Sequence, residues 1–254
     1  MMKKPLAALA LALCCLAALG AQEKVSIAAA ANMSSVAPSL GEIFAKKYPS
    51  YKAEFSFGAS GALVTQILNG APFQVFLSAD TSFPQKLVDA GRTAGPVKVY
   101  AVGALILLST KKLDFSKGLA VLADPSVSQF ANCNPETAPY GKAAQEALAN
   151  SGLLEVVKSK LVVAQTVTQA LQFTLTSTDA GFVNKSAIYS KEVAPYNQEG
   201  VHWIAVDPKL YSPINQGFVV IKRDAAAPAV AAFADFLASP EARAIFASFG
   251  YALP

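Results

Sequence analysis

Apolar and polar positions fall in blocks along this chain, and the blocks repeat one design. Val25 to Ala30 is a short apolar run that reads as a buried strand and ends at Ala31-Asn32-Met33-Ser34-Ser35. Behind it Val36, Leu40, Ile43 and Phe44 recur at helical spacing until Lys46-Lys47-Tyr48-Pro49 closes the helix. The alternating run Tyr51 to Phe57 stops at Gly58, and Leu63, Val64, Ile67 and Leu68 mark a helix that starts just after Ser60. Phe73 to Leu77 is a third strand, followed by Ser78-Ala79-Asp80 and a helix carrying Leu87 and Val88 up to Gly91. This alternation predicts a parallel sheet with right-handed crossovers, open to ligands at the strand C-termini.

From Val97 to Ser109 the pattern changes to a long apolar stretch, sufficient to leave one domain and enter another. A new series follows: a short helix near Leu119 to Ala123, a strand at Val127 to Ala131, the loop Asn132 to Gly141, and a helix with Ala144, Ala147 and Leu148. Then come a strand at Leu161 to Ala164, a helix with Ala170, Leu171 and Leu175, a strand from Asp179 to Val183 ending at Asn184, and Val201 to Val206. Tyr211 to Gly217 precedes a strand at Phe218 to Ile221, and the last helices carry Val230, Phe233, Ala234 and Leu237, then Ile245 and Phe246. A domain whose sheet is opened by an insertion needs its remaining strand and helices, so this tail is expected to return to the first domain. The expected architecture is α/β with two similar lobes, each a mostly parallel sheet flanked by helices, joined by two crossing strands. Lobe 1 takes residues 21–100 and 212–254, and lobe 2 takes 101–211.

Four strand-to-helix junctions carry small, hydroxyl or amide residues. They fall at Ala31-Asn32, at Gly58-Ala59-Ser60-Gly61, at Pro139-Tyr140-Gly141 and at Gln165-Thr166-Val167-Thr168. A helix N-terminus offers unpaired N–H groups and the positive end of a dipole, which together hold an anion. Each junction taken alone is also explained by capping, with Ser60 or Asn32 as an ordinary N-cap. Asp80 reads as a helix cap, because a carboxylate at a strand end repels an anion.

Composition narrows the picture. Hydrophobic residues make up 53% of the 254 and charged ones 15%, which describes a folded chain. Lys3 and Lys4, the uncharged run Leu6 to Leu19 and the small residues around Gly20 read as a signal peptide over residues 1–20, cleaved near Gly20/Ala21. The product is exported, and the run is too short for a retained membrane anchor. Neither Cys14 nor Cys15 follows the small residue that lipid attachment requires. Losing Lys3 and Lys4 leaves 19 basic against 17 acidic residues, a near balance that offers no basic stripe for nucleic acid and no polybasic membrane patch. Only Cys133 remains after cleavage, so no internal disulfide forms, and with one histidine, His202, the chain makes a poor metal site or thiol catalyst.

Ala29-Ala30-Ala31-Asn32, Phe57-Gly58-Ala59-Ser60-Gly61, the phrase Asn134 to Gly141 and Phe236-Leu237-Ala238-Ser239-Pro240-Glu241-Ala242 occur in an order that resembles the periplasmic molybdate-binding proteins of molybdate ABC transporters. The resemblance covers nearly the whole chain after the signal segment. It implies a two-lobed type II periplasmic binding protein fold that closes on molybdate or tungstate and delivers it to a membrane permease, in the periplasm, as a monomer and without a cofactor. Carried over, the family's oxyanion contacts fall on Asn32, Ser60, Tyr140 and Val167, with Ala31 as a further main-chain donor. These are contacts to the oxygens of the molybdate ion and not direct metal ligands. One branch of the family has a tyrosine near Asn184, where this chain has asparagine, which places the chain with the branch that uses Asn32 and Tyr140.

Rival readings keep the fold and exchange the ligand for sulfate, phosphate or an organic anion, or make Ser60 a nucleophile. Organic acids call for an arginine clamp, and Arg92, Arg223 and Arg243 lie at no predicted helix mouth. Phosphate carries a proton that a site made only of donors rejects. Gly58-Ala59-Ser60-Gly61-Ala62 lacks the last glycine of a nucleophile elbow, and His202 is the one candidate base. A structural or adhesive exported protein would have neither ligand nor hinge.

Overall fold

The computed structural model describes residues 22–254, so the signal peptide expected over residues 1–20 lies outside the described residues. In chain order, β1 (Glu23–Ala30) leads through a 3-10 turn (Ala31–Ser35) into α1 (Ala37–Lys47), then β2 (Tyr51–Gly58), α2 (Ser60–Leu68), β3 (Val75–Leu77), α3 (Ser82–Asp89) and β4 (Lys98–Gly103). The chain crosses at Ala104 into β5 (Leu105–Leu108), then runs through β6 (Phe130–Cys133), α4 (Pro139–Asn150), β7 (Leu161–Ala164), α5 (Val167–Thr176), β8 (Ala180–Asn184) and β9 (Trp203–Ala205). It returns through β10 (Ile214–Val220), α6 (Pro228–Leu237) and α7 (Pro240–Ser248).

Two five-stranded sheets result, ordered β2-β1-β3-β10-β4 and β7-β6-β8-β5-β9. In each, three neighbouring strands run parallel, the fourth is antiparallel to them, and the edge strand beyond it is antiparallel to the fourth. The crossings are reciprocal. The edge strand of one sheet, β4 or β9, feeds the antiparallel strand of the other, β5 or β10. The first crossing is a single residue and the second runs through Val206 to Pro213. Both faces of the first sheet are covered: Val25, Ile27 and Ala29 pack with Phe44, Phe233, Phe236 and Phe246, while Ala28 and Phe76 face Leu63, Val64 and Leu87. That alternation along β1 is what a sheet with helices on both faces requires.

Two strands depart from the sequence pattern for reasons that lie far along the chain. β6 begins at Phe130 and not at Val127, because the Asp179 carboxylate takes the N–H groups of Ser128 (2.6 Å) and Gln129 (3.1 Å), so the ladder cannot start earlier. β10 begins at Ile214, four residues before Phe218. Its pairing with β4 shifts register between Gln216 and Gly217, and the buried Gln216 amide donates to the carbonyls of Ala79 and Ile214, so a polar residue sits inside a central strand.

Asp179 staples the entry of the second sheet, since Lys111 also donates to its carboxylate. Burial pushes this carboxyl up, but the Lys111 ammonium and the two N–H groups outweigh that and hold it below its ordinary value. Asp179→Ala is expected to lower the unfolding free energy by about 1–3 kcal/mol at neutral pH, because it removes hydrogen bonds made to a charged carboxylate. A carboxyl with a depressed folded value contributes above its unfolded value, about 3.9, and loses that contribution as pH falls through the folded value. Denaturant titrations of both proteins should therefore show the difference constant from pH 7 to 5 and shrinking below about pH 4.

Candidate functional site

One small pocket lies where the strand C-termini of the two sheets face each other. Ala30, Ala31 and Asn32 reach it after β1, Gly58, Ala59 and Ser60 after β2, and Ala79 after β3. From the other lobe come Ala138, Pro139 and Tyr140 at the start of α4 and Val167 at the start of α5. The structure thus brings Ala31, Asn32, Ser60, Tyr140 and Val167 to one place. About 10 Å³ is open to the centre of a water-sized sphere, close to the room that one water needs. None of the lining residues is charged.

Each junction presents main-chain donors. Ala31, Asn32, Ser60, Tyr140 and Val167 all lie in first turns, whose N–H groups have no partner inside the helix, and among the described residues no main-chain carbonyl takes any of them. Three α-helices, α2, α4 and α5, start at the pocket, each with about half a positive charge at its N-terminus. Pro139 begins α4, where its missing N–H costs nothing, and Thr166 caps α5 by accepting from Gln169 N–H at 3.1 Å. Gly141 lets the first turn of α4 approach β6, since a Cβ there would stand 2.1 Å from the Cys133 carbonyl oxygen.

Ser60 and Asn32 are each 1% exposed, and neither is the N-cap that its position suggests. Ser60 is the first residue of α2, with Ala59 at the cap and no capping bond from a side chain. Its Oγ accepts the Ala79 N–H at 3.2 Å, which orients the hydroxyl and leaves its proton for the pocket. The Asn32 amide neither caps the 3-10 turn nor turns outward. Its Nδ2 donates to Gln216 Oε1 at 2.9 Å and to the Tyr251 hydroxyl at 2.8 Å, so the donor Asn32 offers is its main-chain N–H. Tyr140 is completely buried, and burial pushes its phenol well above the ordinary value. Asp80 stands one residue before the Thr81 cap of α3, accepts the Phe83 N–H at 3.1 Å, and does not line the pocket.

Asn184 is absent from the pocket wall, and its amide donates to Ser186 Oγ. Cys133 is buried, with its thiol pushed up to about 12 by that burial. His202 sits beside β9, its Nδ1 3.2 Å from the Ser109 carbonyl oxygen, away from the lining that includes Ser60. The sequence pattern did not mark Ala79, although it follows a strand end as Asn32 and Ser60 do. Gln216 and Tyr251 carry no local signal at all, being 184 and 219 positions from the Asn32 they hold.

Two further bonds join the lobes around the pocket. Gly61 N–H donates to the Thr137 carbonyl at 2.9 Å, and Thr168 Oγ1 donates to the Ala31 carbonyl at 3.0 Å.

Residues 25–252 match the family described as bacterial extracellular solute-binding protein. The chain is 39% identical over 232 residues to the molybdate-binding protein ModA of Azotobacter vinelandii, covering 91% of this chain and 90% of that protein. The solved structure of the periplasmic molybdate-binding protein of Azotobacter vinelandii superposes with a TM-score of 0.83 at 32% identity, covering 91% of this chain and 99% of that one. The sulfate-binding protein SubI of Mycobacterium tuberculosis shares the fold, with a TM-score of 0.74 at 15% identity over 91% of this chain and 86% of that one. This chain therefore belongs to the bacterial extracellular solute-binding proteins and, among them, to the family of the molybdate-binding proteins.

Proposed function

We propose that this protein holds molybdate or tungstate between its lobes and delivers it to the membrane permease of an ABC importer. The observation that carries this reading is the pocket itself: main-chain N–H groups from both lobes converge on a small cavity with no charged side chain in its wall. Ala31, Asn32, Ser60, Tyr140 and Val167 supply N–H groups and Ser60 adds its hydroxyl, all to the oxygens of the anion and none to the metal. The similarity to proteins named for molybdate binding supports the same ligand.

Burying a dianion without partners costs tens of kcal/mol. The converging helix N-termini offset much of its charge, and each charge-assisted hydrogen bond adds about 1.5–3 kcal/mol. Fixed donors select by size, because a smaller tetrahedron such as sulfate leaves some of them stretched, at about 1–3 kcal/mol for each one unpaired. The lobes, bounded near residues 100 and 212, close on the ion as a hinge, since contacts from both sides favour the closed form. The protein acts as a monomer in the periplasm after residues 1–20 are removed, and needs no cofactor. It is a carrier and not an enzyme: the imidazole of His202 lies outside the wall around Ser60, so that hydroxyl has no base. Among the described residues no helix is long and apolar enough to cross a membrane.

Calorimetric titration of the mature protein should give tight binding of molybdate and tungstate and sulfate binding weaker by at least about a hundredfold, the cost of two mismatched donors. Tight sulfate with weak molybdate would overturn the assignment in favour of the rival ion. Ser60→Ala is expected to weaken molybdate binding by about 1.5–3 kcal/mol; an unchanged affinity would leave the hydroxyl with only its bond to Ala79.

Closure is tested at Gly61, where a Cβ would stand 2.9 Å from the Phe83 ring and 3.2 Å from Thr137 Cα across the cleft. Gly61→Ala is expected to weaken molybdate binding by about 1–3 kcal/mol, because the overpacking against Thr137 exists only in the closed form. Equal affinity in the two proteins would show that the lobes bind without meeting here.

A further inference from the structure

Behind the pocket, a chain of side-chain hydrogen bonds runs from one lobe into the other. Asn184, at the end of β8, donates from Nδ2 to Ser186 Oγ at 2.6 Å. Ser186 Oγ lies 3.1 Å from the Tyr251 hydroxyl, which lies 3.3 Å from the Asn32 carbonyl oxygen and accepts from Asn32 Nδ2 at 2.8 Å. A phenol has one proton to give. Of these partners only the Asn32 carbonyl has no hydrogen of its own, so the Tyr251 proton goes there and Ser186 donates to Tyr251. The donors then run from Asn184 through Ser186 and Tyr251 to the Asn32 carbonyl, and the Asn32 amide donates back to the Tyr251 oxygen. All four residues are buried.

Asn32 is fixed from a second side. The carbonyls of Ala79 and Ile214 hold the Gln216 amide nitrogen, at 3.2 and 3.1 Å, which leaves Gln216 Oε1 to accept from Asn32. Tyr251 is itself placed by the hinge. Gly250, at a φ of +76°, turns the chain after α7, and Ala252 pairs with Val102 of β4 through both its N–H and its carbonyl. The phenol so placed meets lobe 2 at the Ser186 hydroxyl and lies beside the hydroxyl of Tyr140.

We propose that Tyr251 is a positioning residue for the anion pocket and that, with Ser186, it forms a latch coupling occupancy of the pocket to closure of the lobes. Tyr251 does not line the pocket; it acts through Asn32, whose amide and carbonyl it holds while Asn32 lines the wall. Opening the lobes draws Ser186 from Tyr251 and removes one donor from a buried chain whose members strengthen one another. An anion that fixes Asn32 also fixes Tyr251 where Ser186 reaches it, and by linkage the closed latch favours the bound anion to the same degree. This assignment rests on the anion site proposed above.

The test uses the mature protein with Tyr251→Phe, Ser186→Ala and the double substitution. Ser186→Ala keeps Tyr251 and Asn32 bonded within one lobe, which separates the latch from any packing loss at Tyr251. Stopped-flow measurement with molybdate should show dissociation about five- to tenfold faster in each single variant and association changed less than twofold. The double variant should be no worse than Tyr251→Phe alone, since the Ser186–Tyr251 bond is already lost there. Losses that multiply in the double variant, or an unchanged dissociation rate, would overturn the latch. Spin labels at Lys98→Cys and Lys158→Cys, one on each lobe, read closure without any ligand. Ser186→Ala should move their distance distribution to longer values. If the parent protein binds neither molybdate nor sulfate the proposed function fails, and these anion-free distances alone decide the latch, which identical distributions would refute.

Discussion

An anion held without a countercharge depends on main-chain dipoles, and those dipoles can be aimed only if the strands beneath them end level. In the first sheet Ala30 lies opposite Gly58, and Ala29 opposite Leu77. In the second, Cys133 lies opposite Ala164. The loops therefore leave the sheets side by side, and each helix begins within a few residues. Small residues at these ends let the backbones approach: Ala30, Ala31, Gly58, Ala59, Ala79 and Ala138 all stand at the pocket. Large side chains there would hold the N–H groups away from any shared point.

A neutral pocket is also a means of choosing. A lysine or arginine would attract every anion of suitable charge and could follow it by rotating its long side chain. Main-chain N–H groups cannot follow, so their spacing, set by two sheets, becomes the measure of the ion. The hydroxyl of Ser60 shares this fixity because the Ala79 N–H, from the next strand end, holds its oxygen.

The junctions were legible in the sequence because the apolar period changes from two to about three and a half across a short group of small or hydroxyl residues. That change is local, as are the first turns it places at the pocket. What escaped the sequence is long-range. β6 starts late because a carboxylate about 50 positions further on takes its first N–H groups. β10 looked too polar to begin at Ile214 because Gln216 is matched by carbonyls that only the folded chain supplies. Asn32 looked like a cap or a ligand amide, and its side chain is neither, since Tyr251 and Gln216 claim it from the far end of the chain.

Tyr140 shows how closely site and hinge are joined. Its N–H lies in the first turn of α4 at the pocket, yet its ring runs back to the crossing between the sheets, where a Cβ on Gly103 would stand 2.1 Å from the phenol oxygen. Gly103 is the last residue of β4, immediately before the chain changes sheets, and the same added Cβ would stand 2.9 Å from Gln216 Nε2. Gly103 is thus required for room and not for a left-handed backbone. The position at the crossing also stands against Tyr140 on one side and Gln216, and through it Asn32, on the other. A pocket residue in each lobe thus lies one or two contacts from the crossing, so the crossing and the donors of the pocket are packed as one assembly.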